Sequence, residues 1–405
     1  MSNLPDYADI VRAQMRLKGV VKTTPLEHTK SFSAISGANV FMKLENLQST
    51  GSFKVRGAYN KISSMDPKDL QNGVVCASAG NHAQGVAFAA RAMGIKATVF
   101  MPVFTPPLKV IATRSYGADV QLVGETFDDA MAAAQQFRDS SGAMFVHAFD
   151  DADIIAGQGT IGLELFQALE TMQDVVVPIG GGGLISGIAI ALKKTNPDIR
   201  IIGVEPDGAA SMLSSMKSGK PEKLVNMHTI ADGIAVKTPG ILTYEAARQY
   251  VDEFVTVSDE EIAHAAYLLL QRAKILAEPA GVASMAAILY NRLDFRGRNV
   301  VAVISGGNIN LGLLEQIMEK GMMAEGLRAR ISVIIPDMPG ELKSIISILE
   351  GLFANINDIS HERSITTVPV GHVMVIITFN LQQTEQLQTI CKALENKMMK
   401  FEVLK

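Results

Sequence analysis

An α/β protein built on parallel sheets is what this sequence predicts, and three observations predict it. Short β-branched apolar runs alternate with longer amphipathic ones along most of the chain. Of the 405 residues, 48% are hydrophobic and 19% charged, enough for a large core and for two or three domains. Glycine-rich loops follow several of the apolar runs, where parallel sheets covered by helices place their ligands.

The strand expectations are Val40–Leu44, Gly73–Ala77, Ala97–Met101, Asp119–Val123, Met144–Ala148, Val175–Ile179, Ile201–Glu205, Phe254–Val257 and Val300–Ile304. After a helical opening at Ile10–Leu17, helices are expected at Asn81–Met93, Pro107–Tyr116, Thr126–Asp139, Gly159–Leu169, Leu184–Lys193, Glu260–Ala273 and Pro279–Asn291. The uncharged run Val175–Leu192 is broken by Pro178 and four glycines, so it reads as strand, loop and helix rather than a membrane span. A formal net charge of −4 and a pI near 6.0 give no basic field for a nucleic acid. The first ten residues carry Asp6 and Asp9 and neither a basic nor an apolar signal region, so a cytoplasmic protein is expected. Cys76 and Cys391 have no metal-ligand spacing and form no disulfide framework; both are expected to be reduced core residues.

Lys54 lies in Ser52-Phe53-Lys54-Val55-Arg56-Gly57-Ala58, after a turn-forming run and before the helical pattern Ala58, Ile62, Met65. At the positive end of a helix dipole a lysine gains by losing its charge, as it would in a Schiff base with an aldehyde cofactor. The bland alternative is a solvated helix-start lysine. Three loops after strands complete the pattern. Ser78-Ala79-Gly80-Asn81-His82 opens a helix whose amides suit a carboxylate, and Asn81 serves either as an amide donor to an aromatic hydroxyl or as a helix N-cap. Gly180-Gly181-Gly182-Gly183-Leu184 lets several amides converge on a phosphate, or else makes a tight turn with close helix packing. It lacks the last glycine of a dinucleotide fingerprint and the lysine of a nucleotide loop. Ser305-Gly306-Gly307-Asn308 places Ser305 either against a heterocycle nitrogen or in ordinary turn chemistry.

In that order, these four motifs closely resemble the threonine dehydratases, or threonine ammonia-lyases, of the tryptophan-synthase-β-like (fold-type II) pyridoxal-phosphate enzymes. The resemblance runs from about Pro25 to about Gly321. It implies Lys54 as the Schiff-base lysine and proton-abstracting base, Phe53 beside the ring, and Asn81 on the ring hydroxyl. It implies Gly180, Gly181, Gly182, Gly183 and Leu184 on the phosphate of pyridoxal 5'-phosphate and Ser305 facing the pyridine nitrogen. Ser78, Ala79, Gly80, Asn81 and His82 would receive the carboxylate of an amino-acid substrate. The implied reaction converts L-threonine, and less well L-serine, to the 2-oxo acid and ammonia. Val55 stands where related synthases carry an aspartate, and Ala79 where racemases carry a second serine, so both activities are disfavoured. Glu205 and Ala209 match two ligands of a cation site seen in some relatives, but Ser211 replaces its aspartate; a monovalent ion is the option left.

Beyond Leu327, Ile331–Ile335, a helix Gly340–Leu349, Ile356–Arg363, Val370–Asn380, a helix Thr384–Lys397 and Phe401–Leu404 read as a ferredoxin-like βαββαβ unit. With Gly340, Glu341, Leu342, Asn355 and Ile356 it resembles an ACT regulatory domain, which implies an amino-acid effector, a branched-chain one by its apolar lining. The alternative is a plain oligomerisation module. The expected organisation is a catalytic domain over 1–325, with about 45–150 as its smaller subdomain, and a regulatory domain over 328–405, assembled as a homodimer or homotetramer. Two other functions stand beside the lyase: a serine racemase/dehydratase, and a sensor that kept the fold without the chemistry.

Overall fold

The apolar runs become strands in the computed structural model, which describes residues 4–363 and 366–404. In chain order they are β1 (Leu26–His28), β2 (Asn39–Leu44), β3 (Val74–Ala77), β4 (Ala97–Met101), β5 (Asp119–Leu122), β6 (Met144–Phe145) and β7 (Asp174–Pro178). There follow β8 (Arg200–Pro206), β9 (Glu253–Val257), β10 (Asn299–Ile304), β11 (Arg328–Pro336), β12 (Asn355–Glu362), β13 (His372–Asn380) and β14 (Lys400–Leu404). The chain divides into two compact units, the first ending at Asn310 and the second beginning at Leu311.

In the first unit, one sheet runs β1-β2-β10-β7-β8-β9, parallel apart from the β1/β2 pair. The other, β5-β4-β3-β6, is wholly parallel and is built from strands between Val74 and Phe145. β7, β8 and β10 are almost entirely buried, which explains why their sequences are continuous Val/Ile runs rather than alternating ones. Among the described residues no helix is long and apolar enough to cross a membrane. The uncharged Val175–Leu192 run divides into β7, the glycine loop and the helix Gly183–Thr195.

Several boundaries differ from the sequence expectation. The helix expected from Gly159 starts at Ala152, where Asp151 accepts the amides of Asp153 and Ile154 as N-cap. Gly157 and Gly159 hide this start from a periodicity reading, yet they are where two neighbouring helices cross. A Cβ on Gly157 would stand 2.7 Å from the Arg56 carbonyl oxygen, and one on Gly187 2.5 Å from the Gly159 nitrogen. Of the expected strand Met144–Ala148 only Met144–Phe145 is strand, with Val146 N–H still donating to Val75 O at 2.9 Å; the rest turns toward Lys54, whose Nζ meets Ala148 O. The helix expected to run from Glu260 to Ala273 is α-helical to Leu268, then widens into a π-turn at Leu269–Ala273, closed by Lys274 in the left-handed region (φ 62°).

The second unit is antiparallel, in strand order β12-β13-β11-β14 with helices Glu341–Gly351 and Gln386–Asn396, a ferredoxin-like βαββαβ arrangement. Ile335 is buried in its core, and Leu342 and Ile356 pack against that core. The helix Leu311–Ala324 belongs to this unit, although the sequence expectation set it before a boundary near residue 325. The physical reason is the tight turn joining it to β11, in which Leu327 N–H donates to Met322 O at 2.8 Å.

The deepest polar feature of the first unit is an ionic cluster. Arg56 is fully buried and donates to Glu45 (2.8 and 2.9 Å) and to Glu164 (2.6 and 3.0 Å). Lys43 completes it, donating to Glu164 at 2.5 Å and to Thr24 O at 2.7 Å. Arg56→Ala would strand two buried carboxylates with one cation, and the expected cost is about 3–5 kcal/mol. Urea unfolding of the first unit measures it; an unchanged midpoint would mean that water reaches these carboxylates.

Candidate active site

Lys54 is the first residue of the helix Lys54–Ser64, two residues before Arg56 of the buried ionic cluster. The Nζ donates to the carbonyl oxygen of Ala148 at 3.0 Å and lies 5.2 Å from the centroid of the Phe53 ring. Part of the side chain is accessible, but enough protein surrounds the ammonium that burial pulls its pKa down to about 8, with the charge of Glu278 opposing. A sizeable fraction of this amine is therefore neutral near physiological pH, which a solvated helix-start lysine would not be.

The other motifs converge on this residue. Phe53 N–H donates to Ser305 O at 3.1 Å, and Ser52 forms an antiparallel bridge with Gly306, so the buried Ser305 is laced to the lysine turn. On the opposite side Phe149, next to Ala148, lies against the glycine quartet. A Cβ on Gly181 would stand 2.3 Å from the Phe149 ring, and Gly182, at φ +94°, is the left-handed residue that starts the helix Gly183–Thr195. The first-turn amides of that helix have no intrahelical acceptor, which leaves a backbone cradle suited to a phosphate. Its shape is braced from a distance. Asp150 accepts the amides of Ile241, Leu242 and Thr243 (3.0, 2.9 and 3.2 Å), capping the helix Ile241–Tyr250, and the Thr243 hydroxyl donates to Gly181 O at 2.6 Å.

In the loop after β3, Gly80 is the N-cap of the helix Asn81–Ala92, and Gly80 N–H donates to Ser78 Oγ at 3.2 Å. The N-cap alternative for Asn81 is thereby corrected: its side chain instead donates to Glu278 Oε1 (2.6 Å) and accepts from Asn308 Nδ2 (2.7 Å). The His82 ring is buried and paired with Val146 O at 3.0 Å, and burial, aided by the Lys54 charge, pushes its pKa down to about 3. Its ring is thus a neutral brace beneath the loop. Glu205 is buried, and its two oxygens accept the amides of Met212 and Leu213, each at 2.8 Å; burial pushes its pKa up to about 7. Ala209 lies in the adjoining 3-10 turn and Ser211 Oγ is buried without a partner. Among the described residues no group of three or more His, Cys, Asp or Glu side chains is placed to hold a metal. Cys76 and Cys391 are both free thiols.

Sequence reading missed Glu278, Phe149, Asp150 and Thr243. Each works through a partner far along the chain; Glu278 lies 197 residues from Asn81. The one local signal was Glu278-Pro279, a charged residue directly before a helix-opening proline. As an assembly, the site fits a phosphate-bearing aromatic aldehyde. It offers an amine of lowered pKa, an all-glycine cradle, a neutral serine on one side of the lysine turn and an anchored amide.

Known proteins are similar to this chain. The family profile described as "Pyridoxal-phosphate dependent enzyme" matches residues 17–306. The L-threonine ammonia-lyase of Thermotoga maritima is 46% identical over 386 residues, covering 95% of this chain and 96% of that protein. Among solved structures, the processed form of threonine deaminase isoform 2 from Solanum lycopersicum is similar at a TM-score of 0.75 and 36% identity, covering 80% of this chain and 92% of that one. Maize serine racemase is similar at a TM-score of 0.75 and 35% identity, covering 79% of this chain and 98% of that one.

The lowered pKa has a direct consequence. With a value of about 8, the neutral fraction of Lys54 rises roughly tenfold between pH 7 and pH 9. Trapping of an aromatic aldehyde on Lys54 with borohydride, followed by peptide mass spectrometry, should accelerate by that factor over the interval. An ordinary surface lysine would still be gaining neutral amine steeply above pH 9, and that profile would contradict the assignment.

Proposed function

Because the chain belongs to the pyridoxal-phosphate dependent enzyme family, we propose that it is an L-threonine ammonia-lyase, dehydrating and deaminating L-threonine, and L-serine less well. The observation that carries this reading is the partly neutral Lys54 amine between an all-glycine helix N-terminus and Ser305. The 46% identity to an L-threonine ammonia-lyase across 95% of the chain supports the choice of substrate.

When bound, pyridoxal phosphate supplies an electron sink for the charge that develops at the substrate Cα. The amides from Gly180 to Leu184 would hold its phosphate, Phe53 would flank its ring, and Asn81 would donate to its ring oxygen. Lys54, as a neutral amine, takes the Cα proton. Ser305 is a neutral hydroxyl, so no carboxylate there holds a proton on the ring nitrogen; this favours elimination of the β-hydroxyl over transamination. The backbone from Ser78 to His82 would receive the substrate carboxylate. The methyl of Ala79 has no proton to deliver to the opposite face of Cα. The likeness to maize serine racemase motivates racemisation as a second reading, and Ala79 argues against it.

Lys54→Ala should abolish threonine turnover and the borohydride-trapped cofactor adduct together. In the unaltered enzyme L-threonine should be used first and L-serine second. The extra methyl of threonine needs only an apolar wall, worth about 1–3 kcal/mol. Product analysis by oxo-acid assay and chiral chromatography checks this; rapid D-serine formation with little oxo acid would favour the racemase.

The C-terminal unit reads as an ACT domain that binds a branched-chain amino acid, with Gly340, Glu341, Leu342, Asn355 and Ile356 about the site. The strand order and the left-handed Gly340 that opens the helix Glu341–Gly351 support this. The reading makes the enzyme a cytoplasmic homodimer or homotetramer, in keeping with its free thiols. A coupling of about 1–3 kcal/mol would shift threonine affinity roughly 5- to 150-fold. Threonine saturation curves with and without isoleucine or valine read the shift; coincident curves would leave this unit an oligomerisation module.

A further inference from the structure

Glu278 occupies the N-cap position of the helix Pro279–Leu289, yet its side chain makes no capping bond to that helix. It turns instead to Asn81, whose Nδ2 donates to Glu278 Oε1 at 2.6 Å. The carboxylate is almost fully buried and packs on bare backbone, since a Cβ on Gly306 would stand 2.1 Å from the same oxygen. Glu278 N–H donates to Gly306 O at 3.0 Å, which fixes the main chain on both sides of the contact. Burying a carboxylate away from its own helix is costly, and a solvent-facing residue would cap the helix better. The arrangement therefore calls for a reason beyond stability.

The reason lies in how the amides chain together. Asn308 Nδ2 donates to Thr50 O at 2.9 Å, and a backbone carbonyl can only accept, so the Asn308 amide has one permitted orientation. The same nitrogen, 2.7 Å from Asn81, must then face Asn81 Oδ1. That in turn directs Asn81 Nδ2 toward Glu278. An amide nitrogen carries two N–H groups, and Glu278 takes one of them. The second is left directed by the first.

We propose that Glu278 and Asn308 are positioning residues that lock the Asn81 amide from both ends, so that its remaining N–H is aimed at the ring oxygen of the cofactor. The inference rests on the pyridoxal-phosphate reading of the site, not on which amino acid is the substrate. The charged groups facing Glu278 are Asp232, Lys109 and Lys54, from three separate segments. Burial, with Asp232 adding to it, pushes the Glu278 carboxyl up to about 7, while the Asn81 bond, Lys109 and Lys54 oppose. Above that pH the Asn81–Glu278 bond is charge-assisted; below it the bond is neutral and weaker.

The test is cofactor binding by the apo-protein, followed by absorbance and fluorescence on titration with pyridoxal phosphate between pH 5.5 and 8.5, with no substrate present. Glu278→Ala and Asn308→Ala should each weaken cofactor binding about tenfold or more and shift the absorbance band of the bound cofactor. The double variant should be little worse than either, because both act through Asn81. Glu278→Gln keeps an acceptor without the charge; it should bind within about threefold of the unaltered protein but vary less in affinity around pH 7, keeping only the dependence that comes from Lys54. Wild-type affinity and spectrum in Asn308→Ala, or an unaltered pH dependence in Glu278→Gln, would overturn the proposal. Glu278→Gln and Asn308→Ala decide the matter even if Glu278→Ala does not fold. Failure of the threonine assignment would leave these titrations untouched, whereas an unaltered protein that binds no pyridoxal phosphate would remove the premise itself.

Discussion

The guanidinium of Arg56 sets the geometry of the first unit, two residues from the Lys54 amine. It joins the turn carrying Glu45, the helix that begins at Lys54 and the helix that carries Glu164. With Lys43 it forms a cluster of two cations and two carboxylates, so the buried charge sums to zero. Such a cluster is not explained by stability. Desolvating these ions costs several kcal/mol each, and an apolar packing of similar volume is often as stable or more so. What apolar side chains cannot supply is direction. A bidentate guanidinium fixes the rotation of its helix about the axis, and that rotation decides whether Lys54 faces Ala148 and the glycine loop or solvent.

Close helix contact supplies the second constraint. The helices that begin at Lys54 and Gly183 both press on the helix Ala152–Ala168, at Gly157 and Gly187. Contact this close leaves little room for sliding, so the lysine helix and the helix that follows the glycine quartet are held to a common reference. That explains why the helix Ala152–Ala168 is buried along most of its length and carries glycines that weaken its own propensity.

Those same glycines limit what a reader of the sequence can see. The parallel strands, the glycine quartet and the lysine turn were legible, because each is a local pattern with a local cause: a β-branched run, a turn without Cβ atoms, a basic residue at a helix start. The start of the helix at Ala152 was not, since Gly157 and Gly159 serve a contact with distant chain rather than the helix they sit in. Asn81 was ambiguous for a related reason. A cap and a ligand share one residue type, and the partners that decide between them, Glu278 and Asn308, lie 197 and 227 residues away. The π-turn at Leu269–Ala273 likewise leaves no mark in apolar periodicity. In the second unit, partly alternating burial made β11 and β13 legible, whereas the helix Leu311–Ala324, joined to β11 by a tight hydrogen-bonded turn, shows no linker in the sequence.

Charge within the site follows from the same burial. Lys54 and Glu278 are each pushed toward neutrality, one down to about 8 and the other up to about 7, and the charge of each favours the charged form of the other. Asp232 and Lys109 stand beside them as a 2.6 Å ion pair between the helix Pro107–Ser115 and the 3-10 turn Asp232–Ile234, both partly exposed. An exposed pair of this kind contributes only about 0–1 kcal/mol to stability. Its influence is electrostatic. Asp232 raises the Glu278 pKa and Lys109 lowers it, so drawing Lys109 away would leave the acidic neighbour unopposed and move Glu278 further toward its protonated form.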